Sequence, residues 1–216
     1  MNKYTLPTIN KQVETVVLAN GNFPTHPIAL SLLRNCKHLV SCDGATNQLV
    51  ETGRIPDAIV GDCDSLSDEN KNRFAAIIHH IKEQETNDLT KAVNYCVSQG
   101  WTDITILGAT GKREDHTIGN ISLLCEYMQI ANVDMVTNYG VLTAINAPSI
   151  FESYRTQQIS LFCLDRKEIS TRGLVYEIES QTFDRWWQAS LNEAKNSEFT
   201  IETEGAVIVY RELLLD

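Results

Sequence analysis

Four aspartates in the first 90 residues stand where predicted strands end. Asp43 follows one apolar run, Asp62 and Asp64 follow the next, and Asp88 opens a helical pattern after a further short strand. Side chains that leave the carboxyl ends of successive parallel strands converge on one crevice. Crowded carboxylates repel one another unless a cation relieves them, and a divalent metal ion with a phosphorylated substrate meets that condition. The pattern therefore indicates a Mg²⁺-dependent enzyme that acts on phosphoryl groups.

The most specific single feature is the pair Asp62-x-Asp64. Two carboxylates one residue apart can bind one Mg²⁺ or flank two, and Ser65 can supply a further oxygen. An isolated Asp-x-Asp is usually a solvated turn. Here Asp43 and Asp88 stand at equivalent strand ends, and this favours the functional interpretation.

Cationic residues accompany the aspartates. Lys91 lies three residues after Asp88, so both side chains can reach the same side of the first helical turn. The loop 108–113 resembles a phosphate-binding loop, but it is not a Walker A motif. A Walker A motif has four residues between its glycines and a Ser or Thr after the Lys, whereas here two residues separate the glycines and no Ser or Thr follows Lys112. It can present backbone N–H groups to a phosphate, and a simple strand-to-helix turn is the alternative.

The helix after this loop carries three polar residues on one face. Arg113, His116 and Asn120 are spaced at i, i+3 and i+7, which predicts that they face the same crevice. His116 has the chemistry of a general base, but we favour a binding role for it. The apolar face of this helix predicts a buried stripe, formed by Ile118, Ile121, Leu124, Cys125 and Met128.

Bulk composition narrows the class of protein. The chain has 216 residues, 43% of them hydrophobic, and a formal net charge of −10. This charge argues against nucleic acid as the main partner, because phosphate backbones are held by clustered Lys and Arg. No apolar run reaches the length of a membrane span and the first residues lack a signal-peptide core, so we expect a cytoplasmic protein without membrane partners.

The elements predict two domains. Residues 1–138 alternate strand and helix, which indicates an α/β N-terminal domain with a mostly parallel, doubly wound sheet. Residues 139–216 show strand-like segments without intervening helices and predict an all-β C-terminal sandwich or barrel. We place its strands at 141–145, 158–164, 173–178, 199–203 and 206–210.

The β domain also predicts a homodimer. A domain of about 75 residues is small for a self-sufficient core, so burial against a second copy is favourable. Tyr176, Trp186 and Trp187 suit an interface or stacking on a planar cationic ring.

Four motifs in order closely resemble the thiamine pyrophosphokinase family. They read DGATN at 43–47, GDCDS at 61–65, TNDLTKA at 86–92 and LGATGKREDHTIGN at 107–120. The resemblance implies an ATP-binding α/β domain followed by a β-sandwich. It also implies a homodimer with thiamine bound between subunits, and Mg²⁺-dependent transfer of pyrophosphate from ATP to the thiamine hydroxyl, giving thiamine diphosphate and AMP.

The resemblance also implies residue roles. Asp62, Asp64 and Asp88 correspond to the carboxylates that hold Mg²⁺ and act in catalysis. The other positions that match binding residues of the family's ATP half are Asp43, Asn47, Lys91, Arg113, Asp115, His116 and Asn120.

The second domain matches the family more loosely. Residues 171–176 resemble a glycine–leucine–lysine–tryptophan segment in which Val175 and Tyr176 depart from the pattern. Residues 190–193 resemble a serine–asparagine–glutamate motif, with Leu191 where a serine is usual. Tyr176 and Asn192 are thus the expected thiamine-side residues.

Two other functions use the same residues. A metal-dependent phosphohydrolase of a nucleotide or sugar phosphate would use the carboxylates to activate water. A non-catalytic nucleotide-binding regulator would use the β domain as its output module.

Overall fold

The computed structural model describes residues 1–214, and the chain divides into two compact units. The first, here called the α/β unit, is Thr8–Asn138. The second, the β unit, combines Met1–Pro7 with the chain from Tyr139 onward. The predicted fold class, an α/β domain followed by an all-β domain, is confirmed.

Residues 1–214 form fourteen β-strands and six α-helices. The strands are β1 Asn2–Tyr4, β2 Thr15–Leu18, β3 His38–Cys42, β4 Ala58–Gly61, β5 Ile78–His80, β6 Asp103–Leu107, β7 Asn132–Val136, β8 Gly140–Ile145, β9 Ser149–Glu152, β10 Gln158–Cys163, β11 Ile169–Arg172, β12 Ala189–Glu193, β13 Glu198–Thr203 and β14 Val207–Glu212. The helices are α1 Pro27–Asn35, α2 Ala45–Glu51, α3 Asp68–Arg73, α4 Asp88–Ser98, α5 Glu114–Ser122 and α6 Leu124–Tyr127.

The α/β unit is built on a parallel sheet with the strand order β7-β6-β2-β3-β4-β5. The β2 and β4 strands are buried along their whole length, as expected for parallel strands covered on both faces. The chain runs outward from β2 to β5 in one direction and then returns to β6 on the other side of β2. The sheet therefore has its topological switch point between β2 and β6, where ligands bind in open α/β sheets.

Local sequence explains where the helices of this unit begin. Ser67 caps α3 by accepting a 3.2 Å hydrogen bond from the N–H of Asn70. Asn87 caps α4 in the same way, with Oδ1 accepting from the N–H of Thr90 at 2.9 Å. Asp88 is the first residue of α4, so its charge lies at the favourable end of the helix dipole.

The short strand expected before Asp88 is β5. Lys91 of α4 is only 4% exposed, although its side chain is charged. One expectation for this unit was wrong. Ile118, expected in the core, is 66% exposed. The single helix expected here is divided at Leu123 into α5 and α6, and of the expected apolar stripe Leu124 is buried.

The β unit is a sandwich of two sheets, with the orders β1-β9-β13-β11 and β12-β10-β14-β8. Phe151 and Phe199 stack at 5.2 Å in its core, which also contains Leu161 and Val209. Its other strand pairs are antiparallel, but β1 pairs with β9 in parallel.

The domain prediction placed the first residues with the α/β domain, and here the structure differs. Residues 2–4 form an edge strand of the β unit, where Asn2 pairs with Ser149. Buried Arg211 fastens this segment, because its guanidinium donates to the backbone oxygens of Tyr4 and Thr5 at 3.2 and 3.3 Å.

The strand prediction for the β unit was also incomplete. The segment 173–178 is not a strand, since Gly173 adopts φ +90° and the following residues form a loop. Four short strands, β1, β9, β11 and β12, were not predicted. In the part of the chain that the structure describes, no helix has the length and apolarity to cross a bilayer.

Candidate active site

The loops after β2 and β6 meet at the switch point of the sheet. The N–H of Gly21 donates to the carbonyl of Gly108 at 2.6 Å, and the N–H of Asn22 donates to the carbonyl of Thr110 at 2.8 Å. A Cβ on Gly21 would lie 2.4 Å from the Gly108 oxygen, so only glycine allows this approach. The close contact fixes one wall of the site.

Three carboxylates form a compact group beside this wall. One ligand oxygen from each of Asp43, Asp62 and Asp64 lies within 4.8 Å of the other two. Asp43 follows β3 and the other two follow β4, so adjacent strand ends bring them together. Asp88 is outside this group, whereas the resemblance implied Asp62, Asp64 and Asp88 as the metal-binding set.

Asp43 is the buried member of the group, with 2% of its surface exposed. Its Oδ2 accepts a 2.9 Å hydrogen bond from the N–H of Ser65, while its Oδ1 is buried with no hydrogen-bond partner among residues 1–214. The pKa of Asp43 is raised to about 6, chiefly by burial; the hydrogen bond from Ser65 opposes this shift, and the nearby carboxyl groups of Asp64 and Asp88 add to it. A bound cation would supply the partner that Oδ1 lacks.

The surroundings of Asp62 shift its pKa in the opposite direction to that of Asp43. Its Oδ2 accepts from Nε2 of Gln84 at 3.1 Å, and its Oδ1 accepts from the N–H of Asp64 at 3.2 Å. These two hydrogen bonds, first that of Gln84, lower the pKa of Asp62. Asp64 Oδ1 accepts from the hydroxyl of Ser65 at 2.8 Å. Sequence reasoning missed Gln84, although its position four residues before Asp88 was a usable signal.

Asn47 holds the acidic loop in place. Its Nδ2 donates to the carbonyl of Ser65 at 2.9 Å, and its Oδ1 accepts from the N–H of Ser67 and from Nδ2 of Asn70 at 3.1 and 2.9 Å. These contacts occupy both ends of the amide with protein groups. Asn47 thus holds the loop that carries Asp62 and Asp64, and the binding role that the resemblance implies for it stays a prediction.

Asp88 and Lys91 form an ion pair at the start of α4. Nζ of Lys91 lies 3.2 Å from Oδ1 of Asp88, and both residues line the cavity. Gly61 makes room for this carboxylate, because a Cβ there would lie 2.9 Å from Cβ of Asp43 and 3.2 Å from Cγ of Asp88. The missing side chain of Gly61 lets the two aspartates approach each other.

Asn120 is the buried polar residue of α5. Its Nδ2 donates to the carbonyl of Ala109 at 2.8 Å, and its Oδ1 accepts from Nδ2 of Asn87 at 3.0 Å. The residue that caps α4 is thereby tied to the loop after β6. Asn120 lines the cavity, and its contacts assign it a positioning role.

The predicted face of α5 is polar at its start. Exposed Arg113 binds Asp115 through two hydrogen bonds, one from Nε to Oδ1 at 3.1 Å. These contacts raise the pKa of Arg113 and lower that of Asp115. Arg113 and His116 line the cavity.

The cavity itself has a volume of about 520 Å³, within the range of small-molecule sites. Its polar and charged lining is Asn20, Asp62, Asp64, Ser65, Gln84, Thr86, Asn87, Asp88, Lys91, Lys112, Arg113, His116 and Asn120. Most sequence-predicted site residues of the α/β unit thus meet in one place.

The donor set fits Mg²⁺. Asp43, Asp62 and Asp64 offer only oxygen ligands, which hard cations prefer, and Asp43 Oδ1 is a buried carboxylate oxygen without a partner. The group contains no His or Cys ligand of the kind that selects zinc.

In the β unit the structure brings Tyr176 and Asn192 together. Asn192 is buried, and its amide binds the backbone of Tyr176 with Oδ1 accepting at 3.1 Å and Nδ2 donating at 2.7 Å. The Tyr176 ring is 69% exposed. Trp186, Trp187 and Leu191 are exposed as well.

Comparisons with known proteins agree for both units of the chain. The family model described as thiamin pyrophosphokinase, catalytic domain, matches residues 29–136, and that described as thiamin pyrophosphokinase, substrate-binding domain, matches residues 140–210. Thiamin pyrophosphokinase 1 of Caenorhabditis elegans is 26% identical over 202 residues, which cover 86% of this chain and 83% of the relative. Thiamine pyrophosphokinase of Bacillus subtilis (strain 168) is 35% identical over 89 residues, which cover 39% of this chain and 42% of the relative.

The solved structures show the same fold. The structure of thiamin pyrophosphokinase from Candida albicans superimposes on this chain with a TM-score of 0.84 at 19% identity. The match covers 99% of this chain and 93% of the other. Since the two family models match in order on the two halves of the sequence, this chain belongs to the thiamin pyrophosphokinase family, whose enzymes transfer pyrophosphate from ATP to thiamine.

Proposed function

We propose that this chain carries out the family reaction at the carboxyl end of the α/β sheet, with the residues of the acidic cavity in defined roles. The observation that carries the proposal is the meeting of Asp43, Asp62 and Asp64 beside a cavity of about 520 Å³ that is also lined by cations. A carboxylate group suits a metal ion, and the cations suit phosphates.

Asp43, Asp62 and Asp64 hold Mg²⁺ in this proposal. When bound, the ion neutralises charge on the ATP phosphates and on the transition state. Ser65 and Asn47 keep the three carboxylates in position, through the hydrogen bonds of Ser65 to Asp43 and of Asn47 to the loop.

The reaction requires one bond to form and one to break. The hydroxyl oxygen of thiamine attacks the β-phosphorus of ATP, the bond from that phosphorus to the oxygen bridging the α-phosphorus breaks, and AMP leaves with the bonding electrons. The hydroxyl proton needs an acceptor. We assign it to Asp88, because this carboxylate lines the cavity but lies outside the metal-binding group.

Lys91 and Arg113 are assigned to the phosphates. Lys91 is buried beside Asp88, and its charge is fixed in position by the 3.2 Å ion pair. Arg113 presents a planar guanidinium that matches phosphate oxygens in pairs. Positioning and charge neutralisation are the main protein contributions to this type of transfer.

Thiamine is assigned to the β unit of a homodimer. The support is the set of exposed apolar side chains of this unit, which includes Tyr176, Trp186, Trp187 and Leu191. Large exposed apolar side chains mark association surfaces, and aromatic faces attract a cationic ring. Asn192 fixes the backbone from which the Tyr176 side chain projects.

The direct test is incubation of the purified protein with ATP, Mg²⁺ and thiamine. We expect AMP to form only when thiamine is present, in equal amount to thiamine diphosphate. Phosphate release without thiamine would instead identify a phosphohydrolase. Nucleotide binding without turnover would identify a regulator.

A further inference from the structure

Lys112 differs from the other two cations that line the cavity. Lys91 is paired with Asp88, and Arg113 is paired with Asp115. Lys112 forms no ion pair within residues 1–214. Its Nζ instead donates to two neutral oxygens of Asn20, the backbone oxygen at 2.9 Å and Oδ1 at 3.1 Å.

The backbone at Lys112 is in the left-handed region. Its φ is +58°, a conformation that costs an L-residue about 1 kcal/mol or more relative to glycine. Gly111 before it has φ +77°, so two successive residues turn the chain toward Asn20 at the end of β2. This conformation, which glycine would adopt more easily, places a long cationic side chain in the cavity wall.

The charges that line the cavity favour contact between Lys112 and a phosphate group. Lys91 and Arg113 each face a carboxylate partner, Asp88 and Asp115, so part of their charge is already compensated, whereas Lys112 has no carboxylate partner within residues 1–214. An ammonium group bonds more strongly to an anionic oxygen than to a neutral carbonyl oxygen. Replacing the oxygens of Asn20 by phosphate oxygens is therefore favourable.

We propose that Lys112 binds a phosphate group of the nucleotide by exchanging its two Asn20 acceptors for phosphate oxygens. The inference rests on the proposed function, since it assumes that ATP occupies this cavity. It assigns Lys112 to substrate binding and gives it no part in the movement of protons.

The test compares ATP and adenosine binding in Lys112→Gly with wild type, by calorimetric titration in the presence of Mg²⁺. Loss of a charge-assisted contact corresponds to at least about tenfold weaker binding of ATP, with adenosine binding unchanged. Glycine suits φ +58°, so the variant should be as stable as wild type or more stable. Lys112→Gln should show the same loss, and Lys112→Arg should recover part of the affinity.

A matched control is Lys37→Ala. This exposed lysine precedes β3 at the amino end of the strand, whereas the cavity lies at the carboxyl ends, so the change should alter neither affinity. Equal weakening of ATP and adenosine in the Lys112 variants would show that the side chain only fastens two loops, and would overturn the proposal.

Wild type separates the two levels of inference. If it forms thiamine diphosphate and the Lys112 variants bind ATP normally, only the role of Lys112 is wrong. If wild type binds no nucleotide, both the proposed function and the role of Lys112 are wrong.

Discussion

The backbone N–H of Ser65 donates a 2.9 Å hydrogen bond to Oδ2 of Asp43, while Oδ1 of the same carboxyl group is buried without a partner in residues 1–214. Burial raises the pKa of Asp43 from 3.8 to about 6. The native state without metal therefore binds a proton more tightly than the unfolded state. The resulting stabilisation is complete below about pH 4 and is lost as the pH rises through about 6.

Asp43→Asn should stabilise the protein in the presence of a chelator at pH 8, because it removes the charge that burial disfavours. A pKa shift of about two units corresponds to about 3 kcal/mol, so the free energy of unfolding should rise by up to that amount. The difference from wild type should disappear below pH 4. Urea unfolding at both pH values measures this, with Asp68→Asn, at an exposed aspartate, as the control for the loss of one negative charge.

Asp62→Asn should lower turnover by at least about a hundredfold with the fold intact, because it removes a metal-binding charge at constant volume. The measurement is the rate of thiamine-dependent AMP formation over a range of Mg²⁺ concentrations. Asp68→Asn serves as the control and should stay near the wild-type rate. Near-normal activity of Asp62→Asn at limiting Mg²⁺ would remove Asp62 from the metal site.

Asn47→Ala should impair the site indirectly. It breaks the contacts to Ser65, Ser67 and Asn70 that hold the acidic loop, and we expect a loss of about 2 kcal/mol in the free energy of unfolding. The Mg²⁺ concentration for half-maximal activity should rise several-fold, because the carboxylates are no longer held together. If stability falls while the Mg²⁺ requirement is unchanged, Asn47 has no positioning role.

Gly61→Ala should abolish activity, while the free energy of unfolding falls only moderately. The added Cβ would lie 2.9 Å from Cβ of Asp43 and 3.2 Å from Oδ1 of Asp88, so one or both carboxylates must shift. Gly119→Ala is the matched control, because nothing lies within 4 Å of its added Cβ and alanine favours a helix by up to about 1 kcal/mol. A fully active Gly61→Ala enzyme would show that the spacing of Asp43 and Asp88 is not critical.

The protein should sediment as a homodimer at micromolar concentration. Joint replacement of Trp186 and Trp187 by alanine should shift it toward the monomer, since both side chains are exposed in the single chain.

Tyr176→Ala should weaken thiamine binding without changing ATP binding. A stable, fully active monomer would contradict the shared thiamine site.

The sequence predicted those parts of the site that depend on strand ends. The start of α4 at Asp88 was placed correctly, and the aspartates after β3 and β4 meet as expected. Such positions follow from local periodicity and from the general topology of parallel sheets.

The sequence did not predict features that depend on tertiary contacts. The hydrogen bonds of Asn47 join residues about twenty positions apart, and no local pattern distinguishes such a side chain from a ligand-binding one. Lys91 is buried because Asp88 compensates its charge, which its polar type alone does not indicate. The segment 173–178 has strand-like residues, but Gly173 and the amide of Asn192 hold it as a loop.

The pairing of β1 with β9 has a consequence for the order of folding during synthesis. Asn2 is synthesised before the α/β unit, yet its partner Ser149 and the clamp Arg211 follow that unit in the chain. At about 5 to 20 residues per second, the first strand waits on the order of ten seconds or more. Thr8–Asn138 is synthesised completely within that interval. The β unit can therefore close only after the α/β unit has had time to fold.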